Sequence, residues 1–153
     1  MKVLISLSGA KPYSEALRRK VLALPNDTQT TIVTLLHDKG HLPSLRILRD
    51  LYKQFNELVV ERVYRGINDK NKDSNDFLSF TPNLKVAKSF AKGGKVIHVE
   101  NKRMIPYFKI AHVIIDDMLE ADEIDQNEYA GLIDLVMREQ EYLIPYSEVN
   151  DES

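Results

Sequence analysis

The chain has 153 residues, 43% of them hydrophobic and 29% charged, with a formal net charge of -2. Such a length and balance fit one globular domain with its own core, and argue against a surface built mainly to hold nucleic acid. The absence of cysteine excludes disulfides, thiolate metal sites and a cysteine nucleophile, and is compatible with a reducing cytoplasm.

Met1 to Ser8 carries only the short apolar run Val3-Leu4-Ile5, too little for a signal-peptide core. No stretch approaches the roughly 20 apolar residues of a membrane span. The expectation is a soluble protein, without a membrane partner, that works in the compartment where it is made.

Lys2 to Leu7 reads as a short strand ended by Gly9. Ser14 is a plausible N-cap for a helix through Leu24, with Ala16, Leu17, Val21 and Leu24 as its apolar stripe. Pro25-Asn26-Asp27 breaks it, and Thr28 to His37 slightly favours helix. Pro43 opens the clearest helix, in which Leu45, Leu48, Leu51, Tyr52 and Phe55 recur at helical spacing. The character changes near Leu58. Leu58 to Arg65 alternates and reads as a strand, Asn68 to Asp76 as a solvated loop, and Phe77 to Phe80 as a strand. Pro82 suits the first position of a helix carrying Leu84, Val86, Ala87 and Phe90, ended by Gly93-Gly94. Lys95 to Val99 and Ala111 to Ile115 read as strands, and the run Glu120 to Glu128 as acidic and exposed. A helix over about Asn127 to Met137 precedes a final strand, Glu139 to Ile144. The whole predicts a single α+β domain, with a helical part over about 1–57 and a strand-rich core over about 58–146.

Chemistry concentrates at three places. Glu139 and Glu141 flank Gln140 in what reads as a strand, whose two-residue period projects both carboxylates from one face. Like charges held that close repel, so a fold tolerates the pair more readily when it does chemistry, although alone it reads as the exposed face of an edge strand. Arg65 ends one strand, and its planar fork matches phosphate oxygens. Ser79 and Thr81 lie on another. Paired carboxylates stabilise oxocarbenium-like transition states in glycosidases. With an arginine for phosphates, the set suits cleavage of a glycosidic bond in a phosphate-bearing substrate such as NAD.

Tyr64-Arg65-Gly66, then Phe77-Leu78-Ser79-Phe80-Thr81-Pro82, then Glu139-Gln140-Glu141-Tyr142-Leu143-Ile144-Pro145 resemble the three signatures of mono-ADP-ribosyltransferases. This is the branch with an Arg, a Ser-Thr-Ser-type motif and a Glu-x-Glu, found in bacterial toxins, vertebrate ectoenzymes and phage enzymes. The resemblance spans roughly Val59 to Pro145; each motif alone is weak, and their order carries the weight. It implies a core of two packed sheets and NAD as substrate. It implies that Arg65 binds the NAD diphosphate and ribose side, and that Gly66 lets the backbone approach the nicotinamide amide. Ser79 would hold NAD and bond the catalytic glutamate, with Thr81 supporting that strand. Glu141 would bind the 2′-hydroxyl of the nicotinamide ribose and stabilise the oxocarbenium, and Glu139 would orient and deprotonate the acceptor. A Glu at position 139 implies arginine as acceptor, on a protein such as host transcription or translation machinery if the chain is phage-encoded, in the host cytoplasm. The motif departs from the pattern in reading Ser-Phe-Thr, which leaves Thr81 open to a second role as a helix cap.

Other readings compete. Water in place of arginine would make the same site an NAD glycohydrolase, and a catalytically silent binding module is a third reading. The net negative charge and Glu139 argue against nucleic acid as acceptor. Phe90 could stack on nicotinamide, but its spacing from Val86 favours core packing. Lys92-Gly93-Gly94-Lys95 reads as a helix end and turn, Gly9-Ala10-Lys11 is no P-loop, and His37 with His41 lacks an acidic partner, so no metal site is expected. The acidic run reads as a solvated loop, with substrate recognition as its functional alternative and Tyr129 as the aromatic to test there.

Overall fold

A computed structural model describes residues 11–36, 45–68 and 77–150. The readings at Lys2–Leu7, Gly9-Ala10, His37, His41, Pro43 and most of Asn68–Asp76 lie outside them. The described residues are 55% helix and 21% strand: a mixed α+β architecture, in which the part after Leu58 is less strand-rich than its sequence suggests.

Helix α1 (Glu15–Leu22) starts where expected, with the Ser14 hydroxyl accepting from the Leu17 amide at 3.1 Å. Pro25 closes the corner and stands at the N-cap of α2 (Asn26–Thr34). The Gln29 side chain donates to the carbonyls of Leu22 and Leu24, which pins that corner. Helix α3 (Leu45–Phe55) buries Leu48, Leu51 and Phe55.

The expected strand from Leu58 to Arg65 is two strands, β1 (Glu57–Val59) and β2 (Val63–Ile67). They share no ladder: β1 pairs with β5 (Lys102–Met104), and β2 with β4 (Lys95–Val99), both antiparallel. β3 (Phe77–Phe80) pairs with β6 (Tyr142–Pro145), also antiparallel. Two single bridges join these pairs. Tyr64 and Thr81 exchange both backbone hydrogen bonds at 2.8 Å, and Ile105 and Leu143 do so at 2.8 and 3.0 Å. The strands therefore run in the spatial order β4, β2, β3, β6, β5, β1.

Helix α4 (Leu84–Ala91) begins at Asn83, whose side chain accepts from the amides of Lys85 and Val86. Pro82 and Thr81 thus stand before the helix, and Pro82 is not its first residue. Its end is as read: Lys92 is left-handed (φ 50°), and Gly93 follows at φ 85°, a conformation glycine adopts without strain.

The strand expected at Ala111–Ile115 is absent. Those residues are the middle of α5 (Tyr107–Glu120), the most buried helix of the described residues. A helix enclosed on all sides loses its amphipathic period, and a short apolar run then cannot be told from a buried strand. α5 packs against α1, α2, the next helix and β6, and Ile110, Ala111, Val113 and Ile115 are essentially inaccessible. The acidic run has a structural job at its end. Asp125 and Glu128 form a reciprocal capping box that starts α6 (Gln126–Glu139), satisfying two amides that no helical carbonyl can reach. A short helix α7 (Tyr146–Asn150) follows β6. No helix among the described residues is long and apolar enough to cross a membrane.

Candidate active site

The C-terminal glutamates do not share a strand. Glu139 is the last residue of α6, Gln140 turns left-handed (φ 41°, ψ 56°), and Glu141 precedes β6. Both side chains nonetheless line one cavity. The reversal at Gln140, rather than strand alternation, brings them there. Two costs mark this corner. A non-glycine residue in the left-handed region is disfavoured by roughly 1–2 kcal/mol, and a carboxylate in the last turn of a helix opposes the dipole by about 0.3–1 kcal/mol.

The cavity has a volume of about 330 Å³ and is lined by Arg65 and Gly66 of β2, Ser79 of β3, Thr81, and both glutamates. All six residues named from the sequence therefore meet in one place. β2, β3 and β6 are neighbours in space, which explains how positions so far apart in the chain converge.

Arg65 is 9% exposed and Glu141 is 4% exposed. Burial pushes the Arg65 guanidinium below its ordinary pKa, while attraction to Glu141 opposes that. Two buried charges of opposite sign in one cavity are expensive to desolvate, and such groups cluster where chemistry is done. The Arg65 Nη1 donates to the Ser79 carbonyl at 3.4 Å, tying the cation to the neighbouring strand. The Ser79 hydroxyl, expected to bond Glu141, makes no hydrogen bond among the described residues. Thr81 is buried; its Oγ1 accepts from the Asn83 amide at 3.1 Å, so it braces the turn into α4, while the cap expected of it is supplied by Asn83. The carbonyl of Glu141 accepts from the Phe108 amide at 3.1 Å, anchoring the carboxylate-bearing residue to the start of α5.

Gly66 has a structural reason beside its expected one. A Cβ there would stand 2.0 Å from the Ala87 carbonyl oxygen and 2.6 Å from the Ala91 amide, so its lack of a side chain lets α4 lie on β2.

Sequence reasoning missed the far wall. Leu35, Leu48 and Tyr107 also line the cavity, so the N-terminal helices contribute to the site. Tyr107 is fully buried, and its hydroxyl donates to the Ile32 carbonyl. Burial first, and Glu141 second, push its pKa well above the ordinary tyrosine value. No motif signalled this residue. Phe90 corrects an expectation: it is 46% exposed and lines the cavity, so it is no core residue, and the cavity reaches the surface along α4. Tyr129 is likewise not a free recognition aromatic, since its hydroxyl donates to Asp116 Oδ1 at 2.6 Å.

A scan against protein-family models matches none, and searches of curated proteins and of solved structures find no match. Among the described residues no group of three or more histidines or carboxylates is placed to hold a metal ion.

Proposed function

We propose that the chain transfers ADP-ribose from NAD to an arginine side chain of a protein, releasing nicotinamide. The observation that carries this reading is the convergence of Arg65, Ser79, Glu139 and Glu141 on one cavity. At about 330 Å³ it lies at the lower end of ligand sites, which run from about 300 to 1,000 Å³, and its reach to the surface at Phe90 leaves room for part of NAD to extend outward.

Arg65 holds the diphosphate by its fork of donors. The bond from the ribose C1′ to the nicotinamide nitrogen breaks, its electron pair leaving with nicotinamide, and Glu141 stabilises the oxocarbenium left behind. The arginine nitrogen then bonds C1′, and Glu139 accepts the proton it sheds. Glu139 favours transfer over hydrolysis as the outcome, because a second carboxylate in the cavity gives the acceptor its base. The full set of Arg65, Ser79, Glu139 and Glu141 in one cavity speaks against a catalytically silent binding module.

Incubation with labelled NAD and bacterial lysate tests the reading. Wild-type protein is expected to label lysate proteins, and Glu141→Ala to label none. Equal labelling by both would sink the proposal. Nicotinamide release with no labelled macromolecule would make the protein an NAD glycohydrolase, and no NAD binding by calorimetry would make it a silent module.

A further inference from the structure

Between Phe77 and Val99 the only charged residues are Lys85, Lys88, Lys92 and Lys95; that stretch contains no carboxylate. All four are exposed. Lys85, Lys88 and Lys92 follow a three-then-four spacing, which places them within one narrow stripe of α4 and its C-cap. None is in an ion pair among the described residues, whereas Arg18, Arg62, Lys109 and Arg138 each have a carboxylate partner. The same helix turns Val86, Ala87 and Phe90 toward the cavity.

We infer that this lysine ridge docks an acidic surface surrounding the arginine to be modified; the inference rests on the transferase reading above. Size decides that the ridge falls under the acceptor. A stable protein contact covers roughly 800 Å² per partner, a patch about 16 Å in radius. The ridge lies across α4 from the cavity wall, and a helix is only about 10–12 Å wide. An acceptor that seats a side chain in the cavity therefore covers the ridge as well. An arginine set in a basic surface would be repelled there, and one among carboxylates would be steered in. A protein is favoured over nucleic acid because the chain as a whole is negative, so phosphate backbones meet a repulsive field beyond the ridge.

The test uses three synthetic peptides with one central arginine flanked by aspartates, by serines or by lysines, with agmatine as a small acceptor. Wild-type protein at low salt is expected to modify the aspartate peptide about tenfold faster, in kcat/KM, than the serine peptide, the scale of three exposed ion pairs. The preference shrinks at high salt. The triple variant K85E/K88E/K92E loses or inverts it while agmatine turnover stays unchanged, which also shows that the variant folds. Equal rates on all peptides with normal agmatine turnover would overturn the ridge alone. A single-stranded oligonucleotide that inhibits peptide modification more strongly than the aspartate peptide competes would overturn the acidic protein in favour of nucleic acid. No agmatine turnover and no NAD cleavage by wild-type protein would overturn the transferase reading, and the acceptor with it.

Discussion

Gly66 and Ala87 are in direct backbone contact: a side chain on the glycine would begin 2.0 Å from the alanine carbonyl oxygen. The helix that walls the cavity is thus seated on the strand that carries Arg65. Because the obstacle is backbone, it cannot swing aside. Gly66→Ala is expected to lower stability by about 3 kcal/mol, the upper end of overpacking costs. Gly131, an exposed residue of α6, is the opposite case: an added Cβ meets nothing within 4 Å. Gly131→Ala is expected to raise stability by about 0.5–1 kcal/mol through the entropy of the unfolded chain. Urea melts of both variants check the pair; a neutral Gly66→Ala would show that α4 is not tied to β2 in this way.

Glu139→Gln separates the two carboxylates by role. The amide keeps the shape but cannot take a proton. NAD cleavage is expected to persist within a few-fold, while transfer to agmatine falls by about 10²–10⁴, the range of general-base catalysis. Parallel assays of nicotinamide release and agmatine modification read the difference, and loss of both activities together would show that the division is wrong.

Arg65→Lys keeps the charge and loses the fork. The KM for NAD is expected to rise roughly tenfold, the loss of one charged hydrogen bond, with a smaller change in kcat. An unaltered KM would remove Arg65 from the diphosphate.

Asp116, buried on α5, predicts acid sensitivity. Burial disfavours its charge, but His112, Lys11, Tyr129 and Tyr13 outweigh that and hold its carboxyl well below the usual carboxylate range. Lys11 Nζ is 2.6 Å from Oδ2, His112 Nδ1 is 3.2 Å away, and Tyr13 donates to the same oxygen. A depressed folded pKa stabilises the fold above the unfolded value of about 3.9. That stabilisation is full near neutrality and is lost as pH falls below about 4 toward the folded value. Asp116→Asn is expected to cost about 3 kcal/mol at pH 7 and roughly half as much at pH 2.5, midway through the loss. A variant equally destabilised at both pH values would show that packing, not charge, is what Asp116 supplies.

Much of the site was legible because its residues are chemically conspicuous. Arg65, Ser79 and the Glu139/Glu141 pair each admit a structural reading alone; their order along the chain is what set them apart, and the cavity gathers them. Their local geometry was less legible. A two-residue spacing looks like a strand, yet a left-handed Gln140 between helix and strand gives the same convergence. Ala111–Ile115 misled for the converse reason: complete burial erases the period that reports a helix. Tyr107, Leu35 and Leu48 carried no signal, since a cavity wall built from ordinary core residues looks like core until the chain is folded.

The position of β6 has a consequence for how the protein comes into being. Of the described strands it comes last in chain order, yet it lies between β3 and β5, in the interior of the strand order. Chains fold from their N-terminal side during synthesis. A nascent chain that ends before Glu141 has neither that carboxylate nor the strand that joins β3 to the residues beside β5. Completion of this strand order and arrival of the Glu141 carboxylate in the cavity are then one event, so under the proposed function a half-made chain is inert toward NAD as a matter of topology, without any inhibitor.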